Sequence, residues 1–311
     1  MLRKSILYLS NQPRIFKFVR HNRLAKSFAR RFVAGETIEE ACAAVAALNK
    51  AGITASLDQL GESVGNESEA RETGRQYLRL LDEIAKRKLD ANVSVKLTAL
   101  GQDIRDDLCE ENTRAILGRA REQGSFVRLD MEGSAYTQRT LDFFSQRLFP
   151  DFPETVGIVL QSALRRTIDD VEWAIGKQCR VRICKGAYLE PPAVAFPDKK
   201  DVDANYVDAM KRLMQRGKYP GLATHDPAII EEAARFARSE GIAPDRFEFQ
   251  MLYGIRRDLQ EKLVRDGWRM RVYVPFGTQW YPYLMRRLAE RPANIAFITG
   301  NVLREMLPGR R

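Results

Sequence analysis

Eight short β-rich runs alternate with helix-length segments along most of this 311-residue chain, and that alternation restricts the fold more than any other feature. The runs are 53–60, 92–97, 126–131, 156–161, 180–184, 221–224, 247–252 and 271–274. Several are apolar almost throughout, as parallel strands covered by helices are. Helical patterns fill the intervals at 67–88, 110–122, 137–147, 168–176, 204–216, 227–239 and 256–266, and another starts at Pro282. Two more, over 13–34 and 36–50, precede the first strand, the second opened by a Thr37/Glu40 capping box. Eight strand–helix units with a helical preface predict an α/β chain folded as a (β/α)8 TIM-like barrel. A doubly wound sheet is the alternative, but 57–65 has the glycines of a phosphate-binding turn without their spacing. The expected division is N-terminal helices over 1–50, barrel over 51–300 and a basic tail over 301–311.

Composition narrows the function classes. No 18-residue apolar run occurs, so no transmembrane helix is expected. Residues 1–10 lack the apolar core and cleavage site of a signal peptide. Residues 14–31 are basic and free of acids, as in a mitochondrial presequence, but Ile15, Phe16, Val19 and Leu24 are better read as helix-packing residues. Cys42, Cys109, Cys179 and Cys184 have neither metal nor disulfide spacing, which fits thiols in a reducing cytoplasm. Only His21 and His225 are present, so no metal centre is expected. The net charge of +10 is dispersed and no nucleic-acid motif accompanies it. A solvated basic surface and a lipid-facing patch both remain open.

In a barrel of this kind the chemistry lies at the C-terminal ends of the strands. Polar residues gather there: Lys96, Asp130, Gln161, Arg182 with Lys185 and Tyr188, Thr224 with His225, Gln250, and Tyr273. Each has a plainer explanation. Lys96 could snorkel to the surface, Asp130 could partner Arg128 or Lys96, Tyr273 could be core, and His225 could be structural. Arg182 within an apolar strand is costly without an anionic or acceptor partner. Nearly every strand delivers a polar group to one end, which packing alone does not predict. After the last strand, Tyr283, Arg286, Arg287 and Glu290 are spaced to share one helical face. Two guanidinium groups, a phenol and a carboxylate suit a small molecule bearing a carboxylate and an amine.

These residues carry a resemblance. Phe32-Val-Ala-Gly-Glu-Thr37, Ser56-Leu-Asp-Gln-Leu-Gly-Glu-Ser63, Val93-Ser-Val-Lys-Leu97, Val127-Arg-Leu-Asp-Met131, Arg182-Ile-Cys-Lys-Gly-Ala-Tyr188, Ala223-Thr-His-Asp226, Phe247-Glu-Phe-Gln250 and Tyr281-Pro-Tyr-Leu-Met-Arg-Arg-Leu-Ala-Glu290 follow in the order seen in proline dehydrogenases. The chain resembles the short monofunctional bacterial members. The resemblance implies a distorted (β/α)8 barrel with its last helix over the mouth, and noncovalent FAD. It further implies oxidation of L-proline to 1-pyrroline-5-carboxylate, with electrons passed to a quinone.

By resemblance, Arg286, Arg287 and Lys96 hold the proline carboxylate, and Ala187, Tyr188, Leu252, Tyr273 and Tyr283 wall the ring. Glu290 ties the arginine helix in place and borders the amine and cofactor. Asp130 orients Tyr273 and, with Gln161, Arg182, Ile183, Lys185, Gly186, Ala187, Thr224, His225 and Gln250, borders the flavin nucleotide. The implied setting is cytoplasmic, with peripheral attachment to the inner face of the cell membrane and a pyrroline-5-carboxylate dehydrogenase as partner. Three rivals follow from the same residues: a hydroxyproline oxidase, an aldolase using Lys96 as a Schiff-base amine, and a basic binding module without catalysis.

Overall fold

The computed structural model describes residues 29–290, with the backbone alone for 286–290. The expected helix over 13–34 lies mostly outside the described residues, as do the tail over 301–311 and His21. The first helix, α1 (Ile38–Lys50), starts at Thr37, whose hydroxyl accepts from the Glu40 backbone N–H while Glu40 reaches back, completing the expected capping box. There follow β1 (Thr54–Gln59), α2 (Glu67–Lys86), β2 (Ala91–Val95), α3 (Asp106–Glu122), β3 (Val127–Leu129) and α4 (Ser134–Phe143). Then come β4 (Val156–Gln161), α5 (Thr167–Gly176), β5 (Arg180–Cys184), α6 (Lys199–Arg216), β6 (Gly221–Ala223) and α7 (Pro227–Ser239). The chain continues through β7 (Glu248–Leu252), α8 (Arg257–Arg265), β8 (Met270–Phe276) and α9 (Trp280–Glu290). The strands close a parallel barrel in sequence order, with β8 returning beside β1.

All eight strands lie where the sequence predicts them; three helices begin three or more residues earlier, α4 at Ser134 among them. α3 starts at Asp106 and α6 at Lys199, and neither has a side-chain cap bond to mark its start. The first turn of α6, Lys199-Lys-Asp-Val, is too polar to show a periodic apolar face. α4 runs into a π-helical turn over Phe144–Leu148. Among the described residues no helix is long and apolar enough to cross a membrane.

Alternation along each strand separates two environments. Outward side chains such as Leu57, Val93, Val95, Leu129, Ile158, Val181, Ile183, Met251 and Val272 are buried under the helices and form the main core. α2 meets them with Tyr77, Leu80, Leu81 and Ile84, spaced on one face. Full burial of an aliphatic side chain contributes about 1.5–3 kcal/mol, so this shell carries most of the stability. Inward positions are unlike those of an ordinary barrel, whose lumen is filled by branched apolar residues. Here Ser56, Asp58, Ser94, Arg128, Arg182, Glu248 and Gln250 are all buried and polar.

Candidate active site

The lumen polar groups form one connected set. Arg182 on β5 crosses the barrel, and its Nη1 donates to Asp130 Oδ1 at 2.7 Å, just past the end of β3. Its Nε donates to Gln250 Oε1 on β7 at 2.6 Å. Its Nη2 donates to Ser94 Oγ at 3.2 Å and, more weakly, to Ser56 Oγ at 3.4 Å. The second oxygen of Asp130 accepts from the Tyr273 hydroxyl at 2.7 Å. Tyr273 also offers its ring to Arg182, with the guanidinium carbon 5.3 Å from the ring centroid. Gln250 Nε2 in turn donates to Glu248 at 2.6 Å, and Glu248 pairs with Arg271 at 2.7 Å. A buried arginine is tolerated when its donors are satisfied by acceptors and a counter-charge, and Arg182 has both.

The resemblance implies that Asp130 orients the tyrosine of the last strand, and its plainer alternative is an ordinary partner of Arg128 or Lys96. Its hydrogen-bond partners are Arg182 and Tyr273. Lys96 pairs instead with buried Asp58 at 2.8 Å. Burial works against charge on Lys96, but the carboxylates of Asp58 and Asp130 outweigh it and hold the ammonium above the usual lysine range. Burial, then the negative charge of Asp130, raises the Tyr273 phenol well above its usual value, so it stays a hydrogen-bond donor. An ammonium held above the usual lysine range is a poor Schiff-base amine, which needs a depressed pKa.

Around the strand ends the remaining predicted residues form a rim of donors and small side chains. Gln161 is buried at the end of β4, and its amide nitrogen donates to the Glu132 carbonyl at 3.2 Å. Glu132 itself is buried and accepts from the Thr98 hydroxyl at 2.7 Å. Lys185 is an ion-pair partner of both Asp203, at 2.5 Å, and Asp226, at 2.9 Å. Gly186 has φ of +101°, a left-handed conformation strained for any L side chain. Ala187 and Leu252 are half-buried, and Tyr188 is 37% exposed. The Thr224 hydroxyl accepts from the Asp226 backbone N–H, and His225 Nε2 accepts from the Leu252 N–H at 2.9 Å.

Two predicted residues have side chains packed among apolar neighbours. The Ile183 side chain faces the helix layer and is fully buried there, because alternation places it opposite Arg182; only its backbone is left for a ligand. Tyr283 is buried in a small cluster with Ala29, Val33, Leu60, Trp280, Tyr281 and Leu284, which docks α9 on the segment before α1. The helix expected from Pro282 is present through Glu290, so positions 283, 286, 287 and 290 keep their helical spacing. The side chains of Arg286, Arg287 and Glu290 lie outside the described residues.

Sequence reasoning missed Asp58, Ser56, Ser94, Glu248 and Arg271. Their signal is a polar phase of period two: Ser56/Asp58, Ser94/Lys96, Arg128/Asp130, Glu248/Gln250 and Arg271/Tyr273 each place polar groups two residues apart. That phase marks the strand face turned to the lumen.

A family model described as proline dehydrogenase matches residues 41–300. The chain is 41% identical over 307 residues to the proline dehydrogenase of Deinococcus radiodurans, covering 98% of each. It is 40% identical to proline dehydrogenase 1 of Bacillus subtilis, covering 98% of this chain and 100% of that one. Among solved structures it is similar to proline utilization A (PutA) from Bdellovibrio bacteriovorus inactivated by N-propargylglycine, with a TM-score of 0.82 and 29% identity. That match covers 89% of this chain and 34% of the longer protein. A full-length match to single-function relatives and a closed eight-stranded barrel with a charged lumen agree: the chain belongs to the proline dehydrogenase family.

Proposed function

We propose that the protein oxidises L-proline to 1-pyrroline-5-carboxylate with noncovalent FAD, and that a quinone takes the electrons. The observation that carries the reading is the Tyr273–Asp130–Arg182 set, two 2.7 Å bonds that fix a phenol and a guanidinium at the barrel mouth.

The rim fits a flavin nucleotide in its donor chemistry. Arg182, Gln161, Lys185 and Thr224 supply donors, while Ala163, Gly186 and Ala187 leave room for a flat ring. Arg182, Gln161 and Gln250 would hold the isoalloxazine, and Lys185, Gly186, Thr224 and His225 the ribityl, phosphate and adenine portions. Asp130, Ala187, the Ile183 backbone and Glu290 complete its border. When bound, FAD supplies the two-electron acceptor.

Substrate positioning falls to this chain's own residues. Arg286 and Arg287, on the last helix, clamp the carboxylate with Lys96 assisting; guanidinium forks suit that bidentate task. Tyr273, held by Asp130, walls the ring with Tyr188, Ala187 and Leu252, and Tyr283 closes the helix side. Three cations around the carboxylate lower the pKa of the bound amine, which favours the neutral form that oxidation requires. Fixing both ends of a small ring lowers the entropic part of the barrier. Crowding by Tyr273 favours proline over hydroxyproline. Lys96, paired and charged, counts against the aldolase reading. The surplus positive charge would favour peripheral attachment to anionic lipid at the cytoplasmic membrane face, and a pyrroline-5-carboxylate dehydrogenase would take the product.

Purified protein given FAD, L-proline and a soluble quinone should form 1-pyrroline-5-carboxylate. Absence of product, with borohydride trapping of a carbonyl substrate on Lys96, would refute the reading.

A further inference from the structure

Among the described residues, eight charged side chains follow the lumen-facing phase of the strands. Three ion pairs account for six of them: Lys96–Asp58, Arg182–Asp130 and Arg271–Glu248. Arg128 and Arg180 remain, both cations, in the layer below Arg182. Arg128 is 3% exposed and among the described residues has no carboxylate within ion-pair distance. Its Nη1 donates to two backbone carbonyls, Ile158 at 3.1 Å and Arg180 at 2.7 Å, and its Nε is buried without a partner. The Arg180 guanidinium stacks between the Phe126 and Tyr219 rings, at 5.0 and 5.3 Å, and its Nε is also buried and unpartnered.

The fold makes deliberate room for this arrangement. Gly157 lies beside Arg128 and Arg180 in register. A Cβ there would come within 2.7 Å of Arg128 Nη1 and 2.5 Å of the Arg180 carbonyl oxygen. A buried unpaired cation is expensive, and hydrophobic replacement of such a group is often neutral or stabilising. Burial and the neighbouring Arg182 lower Arg128 to about 9, so it is still protonated at neutral pH. The lumen thus keeps an excess positive charge one layer beneath Arg182.

That charge has a use in the proposed reaction. Oxidising proline breaks one C–H bond; the electron pair leaves with the hydrogen, and the ring nitrogen's lone pair forms the C=N bond. The acceptor gains two electrons and one hydrogen nucleus, and therefore one net negative charge. We propose that Arg128 is retained as a buried cation, outside any ion pair, that raises the reduction potential of FAD held above it. The proposal rests on the FAD reading given under Proposed function. Arg128 touches no reacting atom; it is a positioning residue whose effect travels through the field of the lumen.

The test is the two-electron midpoint potential of FAD-loaded protein, measured by equilibration with a reference dye. Arg128→Met should shift the reduction equilibrium at least tenfold toward oxidised FAD, about 30 mV for a two-electron couple. Arg128→Lys, which keeps the charge but not the fork, should stay within about threefold of wild type, or about 15 mV on the same scale. Glu248→Gln, which removes a lumen negative charge while keeping its shape, should move the potential the opposite way. An unmoved Arg128→Met protein overturns the proposal, as does an Arg128→Lys protein that falls equally far. If Arg128→Met does not fold or bind FAD, Glu248→Gln decides: a positive shift supports the proposal and any other result overturns it. Wild-type protein that proline cannot reduce would defeat the functional reading, and this inference with it, before any variant is compared.

Discussion

Asp130→Asn should weaken the protein and misplace Tyr273 together, because one carboxylate serves two partners. It accepts from Arg182, which is buried, and from Tyr273, which is half-buried, both at 2.7 Å. Asparagine preserves the shape but removes the charge, leaving Arg182 with Gln250 and two serine hydroxyls as neutral acceptors. Breaking a buried pair by removing one partner typically costs 3–5 kcal/mol. The Asp130 side chain is 12% exposed and an amide oxygen can still accept one bond, so the low end, about 3 kcal/mol, is expected. The charge-assisted bond to Tyr273 becomes a neutral one, a further loss of about 1 kcal/mol. Tyr273→Phe alone should cost about 1–2 kcal/mol by leaving one carboxylate oxygen short of a donor. The two changes share that bond, so the double variant should be less destabilised than the sum by about 1 kcal/mol. Urea unfolding of the four proteins, alongside proline kcat/KM, measures the cycle. Additive losses, or an Asp130→Asn protein with wild-type stability and turnover, would refute the linkage.

Other consequences are separable. Arg286→Lys and Arg287→Lys should each raise the proline KM at least tenfold, because an ammonium cannot reproduce the fork; unchanged steady-state kinetics in both would remove the clamp. At Glu248, burial alone would raise the carboxyl, but Arg271 and the Gln250 amide outweigh it and hold the pKa below the usual range. A depressed folded-state value contributes stability above the unfolded pKa, about 4.3, that is lost as pH falls through the folded value. The stability gap between wild type and Glu248→Gln should therefore shrink below about pH 4.3, and a gap constant in urea unfolding from neutral to strongly acid pH would contradict it. Gly157→Ala places a Cβ 2.5 Å from a backbone carbonyl that cannot swing away, so overpacking should cost about 1–3 kcal/mol; a wild-type urea midpoint would show that the lumen yields more easily than its packing implies.

The barrel was legible because eight apolar runs at regular intervals admit few architectures, and the strand-end residues followed from the parallel order. α3 and α6 were read short because their starts carry acidic or basic residues without a capping bond, and periodicity detects only a buried face. The site was half legible. Arg182 announced itself as a charge in an apolar strand, but its partners did not, since Gln250 lies 68 residues away and reaches it only once the barrel closes. Arg128 and Asp130 share a lumen face two residues apart, which invited a pairing between them. The Arg128 side chain turns instead toward β5, beside Gly157, and leaves Asp130 to Arg182. Ile183 lies within a matching motif, yet a strand shows only every second side chain to the lumen. Conversely, the two-residue polar phase that would have exposed Asp58 and Glu248 was hidden by the apolar residues between them.

The central claim is that this lumen and its rim hold FAD where bound proline can reduce it. Anaerobic mixing of FAD-loaded protein with L-proline tests that directly by absorption. The yellow flavin band should bleach, with 1-pyrroline-5-carboxylate appearing in equal amount, and should return when quinone is added. Protein that stays colourless after FAD is supplied, or whose flavin band is unmoved by saturating proline, would contradict the account.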